Sequence, residues 1–233
     1  MPDCRASAKT EGPGDRLPAG YTLVQVKTTY LEMLENSVRD RPAAPAGCEL
    51  RLWRKPPSGQ YRELFTAVGG GWGWSGRLLL SDGELRAVLD DDAIEVWRLH
   101  EGSAVAGFIE LDWRVPGEVE IVYFGLRPEF IGRGLGTFAL RSAIHHAWAG
   151  RETGGATCPT RRIWLHTCDL DSPTALPFYL KAGFVIFDEQ TGPEAYPADH
   201  AARVGRGTES LESTQPQAPL GPERPKEHLP GQQ

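Results

Sequence analysis

Apolar residues alternate with polar ones in YTLVQVKT (residues 21–28), the two-residue period of a strand with one buried face. ELRLWR (49–54) is a second strand, stopped by Pro56 and Pro57. The spacing then changes. In QYRELFTAV (60–68), Tyr61, Leu64, Phe65 and Val68 fall on one face of a helix. DGELRAVLDD (82–91) is a second helix, capped by Ser81 or Asp82. Three strands follow closely, AIEVWRLH (93–100), AVAGFIELDW (104–113) and EVEIVYFGL (118–126). Gly102 and the Pro116–Gly117 pair turn the chain between them, so the stretch reads as an antiparallel meander. Leu140, Ile144, Ala147 and Trp148 mark a third helix. RRIWLHTC (161–168) is a strand, SPTALPFYLKAG (172–183) a helix containing Pro177, and FVIFDE (184–189) a last strand. The order ββααβββαβαβ predicts a mixed α/β (α+β) domain, a sheet with helices on both faces.

The ends change that pattern. Residues 1–20 are rich in Gly, Pro and charge, and from Gly192 onward few large apolar groups remain. Too little surface can be buried there to offset the entropy of ordering. The expected organisation is a flexible tail over 1–20, a domain over 21–191 and a disordered tail over 192–233, with Tyr196 as one point where the latter could dock.

The chain has 233 residues, of which 40% are hydrophobic, enough for one real core. No apolar run is long enough to span a bilayer and the N-terminus lacks an apolar signal core, so the expectation is a cytoplasmic protein without membrane contact. A net charge of −6 argues against a nucleic-acid surface and suits a cationic ligand such as an amine. Cys4, Cys48, Cys158 and Cys168 form no C-x-x-C pair and are read as reduced thiols.

Candidate chemistry gathers where a strand runs into RPEFIGRGLGTFAL (127–140). Gly132, Gly134 and Gly136 lie within five residues, directly before a helix. Free amides and the positive dipole end at such a corner attract phosphate, and glycine lets the phosphate approach the backbone. Arg133 can add charge. The dinucleotide fingerprint fails because Thr137 stands where its third glycine belongs, and no G-K-S/T tripeptide completes a P-loop. On these residues alone, a turn that binds nothing stays open.

The segment VEIVYFGLRPEFIGRGLGTFAL resembles the acetyl-CoA-binding segment of the GNAT superfamily of N-acetyltransferases. Leu126–Arg127–Pro128 and Ile131–Gly132–Arg133–Gly134–Leu135–Gly136 occupy its motif positions, with Ile131 in place of the usual Arg or Gln. Downstream, Ser172, Ala175, Tyr179, Gly183 and Phe184 match the family's Asn-x-x-Ala-x-x-x-Tyr-x-x-x-Gly-Phe pattern, with Ser172 replacing Asn. The resemblance covers about 104–189 and is to an uncharacterised bacterial branch. It implies a mostly antiparallel sheet whose central strands splay, and acetyl-CoA as co-substrate. By the same resemblance the pantetheine arm would pair with Phe124, Gly125 and Leu126, while Ile131 to Thr137 would hold the diphosphate and Ser172 would cap a helix or touch ligand. Glu120 would be the general base and Tyr179 the acid for the departing thiolate.

The expected reaction is direct attack by the primary amine of a small molecule or peptide, in a ternary complex. The alternatives are a catalytically silent acyl-CoA-binding module and a plain structural domain; a homodimer is compatible with any of these. Glu118 shares a strand face with Glu120 and is the second candidate base or a substrate contact, while Glu110 and Asp112 are candidates for an acidic acceptor pocket. Trp72 and Trp74, in GGGWGWSGR, would either line the acceptor site, holding a cation over a ring, or anchor the core. His166 and Cys168 share a strand face but are too few for a metal site, and no metal is expected. His145 and His146 are read as surface or packing residues.

Overall fold

The computed structural model describes residues 17–153 and 156–205. A seven-stranded sheet carries the fold, in the order β2-β3-β4-β5-β8-β1-β9. Its strands are β1 (Tyr21–Met33), β2 (Cys48–Leu52), β3 (Ile94–Glu101), β4 (Ala104–Asp112), β5 (Glu118–Leu126), β8 (Arg162–Cys168) and β9 (Val185–Pro197). A separate short hairpin, which the periodicity did not anticipate, pairs β6 (Arg151–Thr153) with β7 (Ala156–Cys158). Every ladder is antiparallel except that between β5 and β8.

Period-two alternation sorts side chains to the two faces of the sheet. One face packs α3 (Leu135–Trp148) and α4 (Ala175–Lys181) over a core that includes Leu99, Ile109, Leu111, Val119, Ile121, Ile163 and Leu165. On the other, α1 (Ser58–Gly69) and α2 (Asp82–Asp90) bury Tyr61, Leu64, Phe65, Leu85 and Leu89 against Val96 and Phe108. The start of α2 is a capping box: Ser81 Oγ accepts the Glu84 amide while the Glu84 carboxylate accepts the Ser81 amide. Of the two caps the sequence allowed, Ser81 is the one used.

The boundary expected at residue 191 is corrected by the structure. Strand β9 continues to Pro197 and is followed by a one-turn helix, α5 (Ala198–Arg203). The composition of QTGPEAYP misleads because β9 is an edge strand: it pairs on one side only, and Pro193 is tolerated there. What fixes it is β1, which lies between β8 and β9 and pairs with β9 from Tyr21↔Pro197 to Glu32↔Val185. Tyr196 docks as anticipated, buried with Val24, Val26, Leu170 and Ala201 in a small third cluster. The remainder of both expected tails, residues 1–16 and 206–233, lies outside the described residues. No helix among the described residues is long and apolar enough to cross a membrane.

Candidate active site

The parallel ladder between β5 and β8 is short, running from Glu118↔Arg162 to Ile121↔Leu165. Beyond it the strands part. β5 stays with β4 as far as Leu126↔Gly107, while β8 stays with β1 as far as Cys168↔Thr28. The register of β4 and β5 shifts between Glu110 and Leu111, leaving Val122 as an extra residue on β5; such a bulge bends the strand that carries it. The result is the expected splay, a wedge between residues 122–126 and 166–168. The Arg127 amide donates to Ala106 O on the β4 side (2.8 Å). Strand amides point alternately to either side, so those of Leu126 and Phe124 face the wedge with no strand opposite them. Gly125 is required for packing: a Cβ there would lie 2.5 Å from Val68 Cγ1.

At the end of β5 the chain makes a short 3-10 turn (Pro128–Phe130) and then the glycine corner. Gly132 and Gly134 adopt φ of +80° and +77°, and Gly134 is the N-cap of α3. A Cβ at either position would meet nothing within 4 Å, so these glycines serve conformation and leave open space above the backbone. The amides of residues 132–137 have no backbone acceptor among the described residues. Gly136 differs: it lies within the first helical turn, against Leu126, Phe124 and Phe178. The Arg133 guanidinium reaches Glu101 (2.6 Å) rather than the corner, and Ile131 is exposed. Arg127 makes no ion pair among the described residues, and its Nε is buried without a partner.

Two sets of side chains flank the wedge, one on each face of the sheet. On the α3–α4 face, Tyr179 is 9% exposed and makes edge contacts with Phe124, Phe178 and Phe184. Phe124 and Phe178 stack at 5.9 Å. Burial, and then the charge of Asp171, raises the Tyr179 phenol well above its ordinary value, so it stays protonated. Ser172 closes the turn into α4, its hydroxyl 2.9 Å from that of Thr174.

Val119 and Ile121 belong to the α3 side, so Glu118 and Glu120 point to the opposite face. The two carboxylates differ. Glu118 is bound to Arg162 (3.1 Å), which also holds Glu32 (2.7 Å). Glu120 lies 3.7 Å from Nδ1 of His166, the first residue of β8 beyond the parallel ladder. His166 is exposed, with 44% of its side chain accessible. Burial lowers its proton affinity, but Glu120, Glu194 and Asp171 outweigh that and raise it. Tyr30 packs beside it with ring centroids 5.8 Å apart. The sequence weighed His166 only with Cys168, as a pair too small for a metal site; in the structure Cys168 Sγ lies 3.3 Å from the Tyr196 hydroxyl. The signal was Glu120, legible only once β5 and β8 are known to pair.

Other candidates resolve differently. Glu110 is fully buried, accepting hydrogen bonds from the Tyr61 hydroxyl (2.5 Å) and from Arg77, so it does not line an acceptor pocket. Asp112 is held by Arg114. Trp74 packs with Phe65, Phe108 and Tyr123, and its indole donates to Asp171 (3.1 Å); it is an anchor that also ties α1 to the β8–α4 connection. Trp72 is half-buried and joins no aromatic cluster among the described residues. His146 bonds Glu95 and packs between Trp97 and Trp113. Cys48, Cys158 and Cys168 are free thiols, and no group of three or more potential metal ligands occurs among the described residues.

The family model for the acetyltransferase (GNAT) family matches residues 61–184, which includes the wedge, the glycine corner and Tyr179. No curated protein matches the chain. Among solved structures, a conserved protein of unknown function from Staphylococcus epidermidis aligns at 15% identity with a TM-score of 0.53, over 76% of this chain and 63% of its own. A protein from Novosphingobium aromaticivorans described as a GNAT-family acetyltransferase aligns at 17% identity and TM-score 0.50, over 77% of this chain and 67% of its own. A GCN5-related N-acetyltransferase from Sphaerobacter thermophilus gives 14% and 0.52, over 84% and 56%. The chain thus spans less than two thirds of the Staphylococcus and Sphaerobacter chains, and at these identities the likeness concerns the fold. More than half of its length matches the family model: the chain belongs to the acetyltransferase (GNAT) family.

Proposed function

We propose that the protein moves an acetyl group from acetyl-CoA to a primary amine by direct attack in a ternary complex in the cytoplasm. The observation that carries this reading is the wedge itself, left where the β5–β8 ladder ends, with Tyr179 on one face of the sheet and Glu120 with His166 on the other. The residues fit the co-substrate. The outward amides of Phe124 and Leu126 offer an added strand its hydrogen bonds, and the partnerless amides of 132–137 offer donors to a diphosphate. When bound, acetyl-CoA supplies an electrophilic carbonyl carbon and a thiolate leaving group.

The chain then has three tasks. The Leu126 amide donates to the carbonyl oxygen as negative charge builds there. Tyr179, kept protonated by burial, gives its proton to the sulfur. The proton of the attacking amine leaves on the Glu120 side, where carboxylates also favour an approaching cation. The acceptor, a small molecule or a peptide, enters from that face.

Thiol release with a panel of primary amines, together with calorimetric titration of acetyl-CoA, tests the proposal. Tyr179→Phe is expected to lower kcat by about 10²-fold or more while Kd for acetyl-CoA changes less than about twofold. Equal turnover in the two proteins removes Tyr179 from the mechanism. Binding without any thiol release would favour the silent acyl-CoA module, and absence of binding would overturn the reading altogether.

A further inference from the structure

We infer that the immediate acceptor of the amine proton is Nε2 of His166, and that Glu120 acts through it as a positioning residue; this rests on the acetyl-transfer reading. Glu120 sits within the parallel ladder, opposite Trp164. His166 is two residues further along β8, about 6.6 Å nearer the wedge at the rise of a strand, and is the first side chain on that face past the last rung. Its Nδ1 faces the Glu120 carboxylate at 3.7 Å. A carboxylate there favours the tautomer with hydrogen on Nδ1, leaving the Nε2 lone pair free. The ring is accessible, and the Tyr30 ring packs beside it, tilted by 43°.

The match of proton affinities points the same way. An ordinary carboxylate, near 4.3, is a weak base for an ammonium group, whereas imidazole begins near 6.5. The groups that face His166 from the surrounding elements are Tyr30 of β1, Glu120 of β5, Glu194 of β9 and Asp171 after β8; the three carboxylates all favour its protonated form. In the step, the amine nitrogen forms the C–N bond and its proton passes to His166 Nε2. The C–S bond breaks, and the sulfur takes the Tyr179 proton. Solvent then removes the proton from His166 and returns one to Tyr179.

The test is kcat/KM against pH for the wild-type chain, His166→Gln and Glu120→Gln, using acetyl-CoA with a simple alkylamine, lysine and a lysine-bearing peptide. Ionisation of the amine itself is common to all three proteins. The wild-type acid limb should lie above pH 6.5, move to lower pH in Glu120→Gln and vanish in His166→Gln. His166→Gln should also lose about 10²-fold or more in rate, with acetyl-CoA affinity by calorimetry within about twofold. Histidine-labelled protein followed by NMR should show the His166 titration moving down in Glu120→Gln. A His166→Gln protein that keeps the wild-type limb and rate, or a His166 titration indifferent to Glu120, overturns the inference and leaves acetyl transfer standing. A wild-type chain that releases no thiol overturns both.

Discussion

At the scale of single residues, the site and the core beside it are built from side chains whose partners lie far away in sequence. Glu110 is the clearest case. Its partners are Tyr61 and Arg77, and Arg77 is itself mostly buried. Removing one member of a buried ion pair leaves the other charge without compensation, so Arg77→Ala should cost about 3–5 kcal/mol, read from urea unfolding. His166 gives a prediction of the opposite kind, because it is accessible. Its proton affinity is raised in the folded state, so the pair with Glu120 contributes stability below the unfolded value near 6.5. That contribution is lost as pH rises through the folded value. Glu120→Gln should therefore lower the melting temperature at pH 5.5–6 and have little effect at pH 9, measured in the same buffer series. Glu120 and Tyr179 could be named from the sequence because they stand in patterned strands and motifs. His166, Asp171 and Glu194 could not, since nothing local to them says which strands meet.

At the scale of elements, helices and strands were legible where period and caps agreed, as at Ser81, Tyr61–Val68 and the meander from Ile94 to Leu126. Serine at the start of α2 satisfies an otherwise free amide, and Ser81→Ala should cost about 1 kcal/mol in the same unfolding assay. The glycine corner was legible as a corner, but the unequal roles of its glycines were not. Gly134 needs its positive φ, so Gly134→Ala should cost about 1–2 kcal/mol and weaken acetyl-CoA binding in calorimetry. At Gly136 the backbone is ordinary helix and an added Cβ would make normal contacts at 3.7–3.8 Å, so Gly136→Ala should leave stability within about 0.5 kcal/mol. Arg133 looked like a phosphate ligand from its place between glycines; the Glu101 carboxylate that takes it belongs to a strand 32 residues earlier.

At the scale of the molecule, the order of elements was readable and the order of strands was not. Adjacent strands in the meander follow from short turns. The place of β1 follows from nothing nearby: its partners start more than 130 residues after its own first residue, and the second half of one of them, β9, looked too polar to be strand. The domain closes only when that strand is present through Tyr196. A chain ended at Thr191 would lose the Tyr196 cluster and the ladder from Tyr21 to Val26, and should unfold at a clearly lower urea midpoint than the full chain. Tyr196→Ala alone should cost about 3 kcal/mol.

The seat of β1 also has a consequence in time. Among the described strands β1 is synthesised first, yet both of its neighbours, β8 and β9, follow only after β2 to β5 have been made. Until then an alternating apolar segment waits without a partner, exposed to whatever sheet edge or chaperone reaches it first.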